Sequence, residues 1–206
     1  MSSVCHVKIC GVTRVEDALA CVEAGASSVG LNFVQSSPRR IDIGRARQIV
    51  DALGGRVLTV AVVADMPEHE LRSLLADTGV RCVQFHGSEP PALVTPFLPH
   101  AYKAVRIGAP ADVERARAYP GGYLLVDAKV DGALGGTGHV FDWSLVTTLA
   151  QERKLTLAGG LTPKNVQDAV RRVRPFCVDT ASGVESSPGI KDHNLIRAFV
   201  TAARTA

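Results

Sequence analysis

Eight times in 206 residues, a short β-branched run gives way to a helix-patterned run. The runs with strand character are Val4–Cys10, Ser28–Phe33, Val57–Val63, Val80–Phe85, Tyr102–Arg106, Tyr123–Asp127, Leu155–Ala158 and Phe176–Asp179. Between them, apolar residues recur at helical spacing, as in Ile43, Ala46, Ile49, Val50 and Leu53. Thr13 and Glu16 have the spacing of a capping box, which predicts a helix from there to about Gly25. Pro67 suits a first helical turn, Thr162-Pro163 an N-cap and N1, and Asp192 the cap of a last helix. Short helices are expected over Ala92–Leu98 and Asp112–Ala118, and another from Trp143. Successive strand–helix units require parallel strands, and eight of them close into a (β/α)8 barrel of the TIM type. A doubly wound open sheet usually has fewer strands, and the GxGxxG that would mark a dinucleotide-binding one is absent after the first strand.

No linker or second composition regime interrupts the pattern, so residues 1–206 are expected to form one catalytic domain. With 46% hydrophobic residues the chain can bury one substantial core. A net charge of +3 without a basic run gives no footprint for nucleic acid. No apolar run reaches the roughly 18 residues of a membrane span, and the N-terminus does not read as a signal peptide. The five cysteines are scattered without a CxxC, which disfavours disulfides and structural zinc and fits a reducing cytoplasm.

Barrel enzymes place chemistry at the C-terminal strand ends, here Cys10, Asn32, Asp65, His86, Arg106, Asp127 and Asp179. Strand alternation puts His6, Lys8 and Cys10 on one face, and Tyr123, Leu125 and Asp127 on another. Cys10 reads either as a packed thiol or as a base. Asp127 reads either as an acid or as the partner of Lys8 or Lys129. A thiol and a carboxyl across the barrel mouth would make a base–acid pair around a small substrate. Gly159-Gly160 and Ser182-Gly183 lie on the loops after strands seven and eight, the usual phosphate site of such barrels. A further glycine cluster, Gly135-Gly136-Thr137-Gly138, follows strand six.

These words resemble the phosphoribosylanthranilate isomerase family of tryptophan biosynthesis. The matching stretches are Lys8-Ile9-Cys10-Gly11, Ser37-Pro38-Arg39, Gln84-Phe85-His86-Gly87, Lys103-Ala104-Val105, Leu125-Val126-Asp127, the 135–138 glycines with Phe141-Asp142-Trp143, Ala158-Gly159-Gly160-Leu161 with Pro163 and Asn165, and Asp179 followed by Ser182-Gly183-Val184-Glu185, Pro188-Gly189 and Lys191-Asp192. They occur in order across nearly the whole chain. The resemblance implies an Amadori rearrangement of N-(5'-phosphoribosyl)anthranilate. It assigns Cys10 as general base, Asp127 as general acid and Arg39 as partner of the anthranilate carboxylate. Asp179 would contact a substrate hydroxyl or orient a local turn; His86 would contact substrate or cap its own loop. Lys8 is expected to lower the Cys10 pKa and burial to raise that of Asp127. No metal or cofactor is implied, the small phosphosugar–anthranilate substrate is the one partner, and a monomer is expected. Asn32, Ala61, Val63 and Ala181 depart from the family pattern and bear on the lining of the aromatic pocket.

Three other functions fit the sequence less well. The histidine-pathway isomerase resembles a design with aspartates at both catalytic strand ends and half-barrel repetition; this chain has Cys10 and no such repeat. A silent phosphate-binding barrel would not need the thiol and carboxyl. A metal-dependent epimerase would need ligands on several strand ends.

Overall fold

The computed structural model describes residues 4–127 and 144–206. Eight parallel strands close into a barrel in chain order. They are β1 (His6–Cys10), β2 (Ser28–Asn32), β3 (Leu58–Val63), β4 (Cys82–Phe85), β5 (Ala101–Arg106), β6 (Tyr123–Asp127), β7 (Lys154–Ala158) and β8 (Cys177–Thr180). The helices are α1 (Val15–Glu23), α2 (Ile43–Leu53), α3 (Glu68–Thr78), α4 (Pro91–Val94), α5 (Pro110–Arg117), α6 (Ser144–Glu152), α7 (Val166–Val173) and α8 (His193–Arg204). The ring closes between β1 and β8, where Lys8 registers with Asp179. The loop after β8 carries a 3-10 turn (Ser182–Val184) and a small antiparallel ladder, β9 (Glu185–Ser187) with β10 (Ile190–Lys191). Nothing in the sequence reading anticipated that ladder.

Strands buried on both faces explain the near-continuous apolar runs. Outward side chains such as Val7, Ile9, Val29 and Leu31 are buried against the inner faces of the helices, in the larger of two apolar clusters. The smaller cluster fills the barrel itself, with Val60, Cys82, Tyr102, Ala104, Leu125 and Ala158. It is small because polar inward residues, Lys8, Gln84, Thr156 and Asp179, occupy much of the interior. Ala61 and Val63 point outward into the larger cluster, so these two departures from the family pattern do not line the substrate pocket.

Several helix boundaries differ from the sequence reading. The capping box at Thr13 does not form: α1 starts at Val15 with Arg14 as N-cap, and the Thr13 hydroxyl donates to the Gly189 carbonyl at 2.6 Å. A long-range bond to the β8 loop has taken the side chain that local sequence offered to the helix. Pro67 caps α3 rather than entering it. The segment from Ala92 to Leu98 splits into α4 and a 3-10 turn, Thr95–Phe97. Thr162-Pro163 sit in a turn before α7, where Asn165 Oδ1 accepts from the Thr162 N–H at 2.8 Å. Asp42 and Asp192 cap α2 and α8 through backbone N–H groups of the first turn, as Asp192 was expected to do. Lys129, the 135–138 glycines and Phe141-Asp142-Trp143 lie outside the described residues.

Candidate active site

A cavity of about 320 Å³ opens at the C-terminal end of the barrel. Cys10, Asn32, Arg39, His86, Asp127, Gly159, Gly160, Asp179 and Ser182 line it together. A second lobe, of about 520 Å³, shares His86 and Asp127 and reaches Arg106. Asp65 is not in either lobe. Its carboxylate accepts from the Ser88 N–H at 2.7 Å, which ties the β3 and β4 loops together. Asn32 both lines the cavity and ends β2, accepting from the Val34 N–H at 2.8 Å.

Under the cavity lies a layer of buried polar side chains. Lys8 Nζ sits 3.1 and 3.2 Å from the two Asp179 oxygens. Lys8 therefore pairs with Asp179, not with Asp127, and Asp179 is held by an ammonium rather than by a backbone turn. Burial works to strip the Lys8 proton, but the carboxylate of Asp179 and the neighbouring Cys10 outweigh it, and the ammonium is held well above its usual range. Burial likewise dominates at Cys10 and pushes the thiol above its ordinary value of 9.0, with Lys8 offsetting only part of the rise. Lys8 acts to lower the thiol, as expected, but burial outweighs it. Thiolate is thus a minority form near neutral pH and grows as pH rises. Alkylation of Cys10 by iodoacetamide, followed by peptide mass spectrometry, should climb about tenfold per pH unit between 7 and 9 without levelling off. A plateau below pH 8 would contradict this account of the thiol.

Gly30 is opposite this layer. A Cβ there would stand 2.7 Å from Cys10 Sγ and 3.1 Å from Lys8 Nζ, so a residue without a side chain makes room for both.

A hydrogen-bonded chain sets His86. The Tyr102 hydroxyl donates to Gln84 Oε1 at 3.1 Å, and Gln84 Nε2 lies 2.8 Å from His86 Nδ1. With its oxygen engaged by the phenol, the amide donates through Nε2, so Nδ1 accepts and the remaining ring proton is on Nε2. Burial holds the His86 pKa below its ordinary value, which agrees with a neutral ring. His86 does not cap its loop through the imidazole; it is anchored from below by Gln84.

Arg39 and Cys10 are joined by two residues to which the sequence reading gave no role. Glu185 accepts from Arg39 Nε at 2.8 Å and Nη2 at 2.6 Å. Lys191, fully buried, donates to Glu185 Oε1 at 2.8 Å, to the Cys10 carbonyl at 2.7 Å and to the Ala181 carbonyl at 3.0 Å. Burial favours the neutral Glu185 carboxyl, yet the bonds from Arg39 and Lys191 prevail and hold it below its ordinary value. One ammonium thereby fixes the ends of β1 and β8 and, through Glu185, the guanidinium. A lysine following Gly189-Ile190 and a glutamate six residues before it are visible in the sequence, but their meeting depends on the β9–β10 turn.

The glycine loops are also joined. The Thr180 hydroxyl donates to the Leu161 carbonyl at 2.7 Å, and Asn165 Nδ2 donates to the Gly160 carbonyl at 3.1 Å. A Cβ on Gly183 would stand 2.0 Å from that Leu161 oxygen, so only glycine lets the two loops meet. Gly160 has φ +65° and open space before it. Among the described residues, no group of three or more His, Cys, Asp or Glu is placed to hold a metal ion.

The sequence profile described as N-(5'phosphoribosyl)anthranilate (PRA) isomerase matches residues 7–202. An N-(5'-phosphoribosyl)anthranilate isomerase of Pseudomonas fluorescens (strain Pf0-1) is 46% identical over 199 residues, spanning 96% of this chain and 97% of the relative. That of Myxococcus xanthus is 43% identical over 204 residues, 97% of this chain and 96% of the relative. Among solved structures, the phosphoribosyl anthranilate isomerase of Thermotoga maritima superposes with a TM-score of 0.89 at 39% identity, over 98% of this chain and 100% of that one. Another, at TM-score 0.87 and 37% identity with the same coverage, is a phosphoribosyl anthranilate isomerase in complex with reduced 1-(o-carboxyphenylamino)-1-deoxyribulose 5-phosphate.

Proposed function

The chain belongs to the phosphoribosylanthranilate isomerase family, and from that membership we propose which of its side chains move the protons of the reaction. The chain catalyses the Amadori rearrangement of N-(5'-phosphoribosyl)anthranilate to 1-(2-carboxyphenylamino)-1-deoxyribulose 5-phosphate, in tryptophan biosynthesis. Asp127, as general acid, gives its proton to the furanose ring oxygen. The C1–O bond breaks, the anilino nitrogen supplies the electron pair, and a Schiff base forms. Cys10, as thiolate, then takes the C2 proton; the electron pair moves toward nitrogen and leaves an enolamine. Protonation at C1 and loss of the O2 proton give the C2 ketone. No electron leaves the substrate, so two side chains suffice.

The observation that carries this assignment is that Cys10, at the end of β1, and Asp127, at the end of β6, line one cavity beside the β7 and β8 loops. Gly159, Gly160, Ser182 and Gly183 are assigned to the phosphate, where loops freed of side chains bring backbone N–H groups close to an anion. Arg39 is assigned to the anthranilate carboxylate. Its Nε and Nη2 are engaged by Glu185, which leaves Nη1 as the edge that meets substrate. His86 would offer Nε2–H to the sugar, and Asp179, paired with Lys8, would accept from a ribose hydroxyl.

The reading is tested by supplying the purified chain with substrate made in situ from anthranilate and phosphoribosyl pyrophosphate. The expected result is rapid loss of substrate fluorescence; no loss above the uncatalysed rate would overturn it.

Two broader assignments complete the reading. A monomer is favoured because the large exposed apolar residues among those described, Val4, Ile43, Leu58 and Ile190, are few, although a Thermotoga relative is described as dimeric. Sedimentation velocity decides it. A cytoplasmic setting is favoured by five cysteines that are all unpaired and buried. No helix among the described residues is long and apolar enough to cross a membrane.

A further inference from the structure

The opposite end of the barrel holds a second cavity, of about 490 Å³, at the N-terminal ends of the strands. That size falls in the range of small-ligand sites. Its floor is buried and largely apolar: Val60, Cys82, Tyr102 and Cys177 are each less than a tenth exposed. One wall is aromatic. Phe176 packs against His6, tilted by 39° with ring centroids 4.5 Å apart, and meets Tyr123 edge-on at 5.6 Å.

The rim carries a cation, Arg81, between two exposed histidines. His6, Arg81 and His100 are exposed and line the opening, and no carboxylate does so among the described residues. Lys154 stands beside it, 5.0 Å from the Tyr123 ring centroid and 5.4 Å from that of Phe176. The one ammonium in the floor, Lys8, is neutralised by Asp179 above it. The Arg81 guanidinium is different. No hydrogen bond or ion pair to a described residue engages it, and it stands over an apolar hollow. An apolar floor, an aromatic wall and a guanidinium unpaired among the described residues fit a ligand with a flat apolar body and one anionic group.

We propose that the N-terminal mouth of the barrel binds a small aromatic anion, a carboxylate or sulfonate on a ring, with the ring against Tyr123 and Phe176 and the charge toward Arg81. The site is separate from the substrate cavity and uses none of its acid, base or loop residues. The layer of Lys8, Gln84 and Tyr102 closes it off from the C-terminal mouth.

The test uses the full-length protein and 8-anilinonaphthalene-1-sulfonate as probe. Fluorescence titration should show one saturable site per chain, weakened by added salt. Arg81→Glu should weaken binding about tenfold or more, the equivalent of a lost charge-assisted contact. Leu58→Trp, at an exposed rim position, should block entry. Both variants should keep the isomerase kcat and KM of the native chain, and Arg39→Ala, at the substrate mouth, should leave the probe affinity unchanged. Equal probe affinity in the native chain and in Arg81→Glu would overturn the proposal, as would loss of probe binding in Arg39→Ala, or absence of saturable binding. Among the described residues the Arg81 side chain has no partner to lose, so its variant remains informative even if the tryptophan variant fails to fold.

Discussion

Asp127→Asn is expected to lower kcat by about 10²–10⁴-fold, the contribution of a positioned general acid. The amide keeps the size of the carboxyl and can still donate a hydrogen bond to the ring oxygen. It cannot surrender the proton, so the furanose stays closed and the reaction stops before the C2 step. Asp127 ends β6 in register with Arg106 on one side and Ala158 on the other, and its backbone carbonyl accepts from the Ile107 N–H at 3.2 Å. Those backbone contacts do not depend on the side chain, and asparagine keeps its size, so the variant should fold while KM changes little. A variant with native kcat would remove Asp127 from the mechanism.

Lys191→Met is expected to fail more broadly. The methionine fills most of the same space but leaves Glu185 with one cation instead of two, and takes the donor from the Cys10 and Ala181 carbonyls. Breaking a buried pair by removing one partner costs about 3–5 kcal/mol. For a chain of this size each kcal/mol moves Tm by roughly 2–4 °C, so a fall of about 6–20 °C should appear on thermal melting. Where the variant remains folded, kcat should fall as well, because the end of β1 that carries the thiol and the guanidinium held by Glu185 both lose their tether. A misplacement of about 1 Å at a reacting group costs on the order of 10²-fold. Native melting together with native kcat would show that the tether has no such role.

The barrel was legible because its pattern is repeated eight times and each repeat is read locally. Cys10, Asn32, His86, Asp127 and Asp179 were found as strand ends, and the fold rule that chemistry sits there brought them together on one cavity. The same rule wrongly included Asp65, whose carboxylate is used by a backbone N–H of the neighbouring loop. What the sequence did not reveal is pairing over long separations. Lys8 was read as a possible partner of Asp127, and only the β1–β8 closure puts Asp179 beside it. The bond from Thr13 to Gly189 took away a capping box that local spacing favoured. Glu185 and Lys191 are ordinary charges on a loop until the small β9–β10 ladder turns both inward. The thiol illustrates the same limit in energetic terms. A lysine two residues away on the same face suggests a lowered pKa, but the extent of burial, which decides the sign, is a property of the closed barrel.

The most direct measurement is kcat for Cys10→Ala beside the native chain in the coupled fluorescence assay. The substitution removes one sulfur from a buried strand end and leaves the Lys8–Asp179 pair in place, so the barrel should persist. The account predicts a loss of about 10²–10⁴-fold in kcat with the fold intact by circular dichroism. Native kcat in Cys10→Ala would contradict it, since the C2 proton would then have another acceptor.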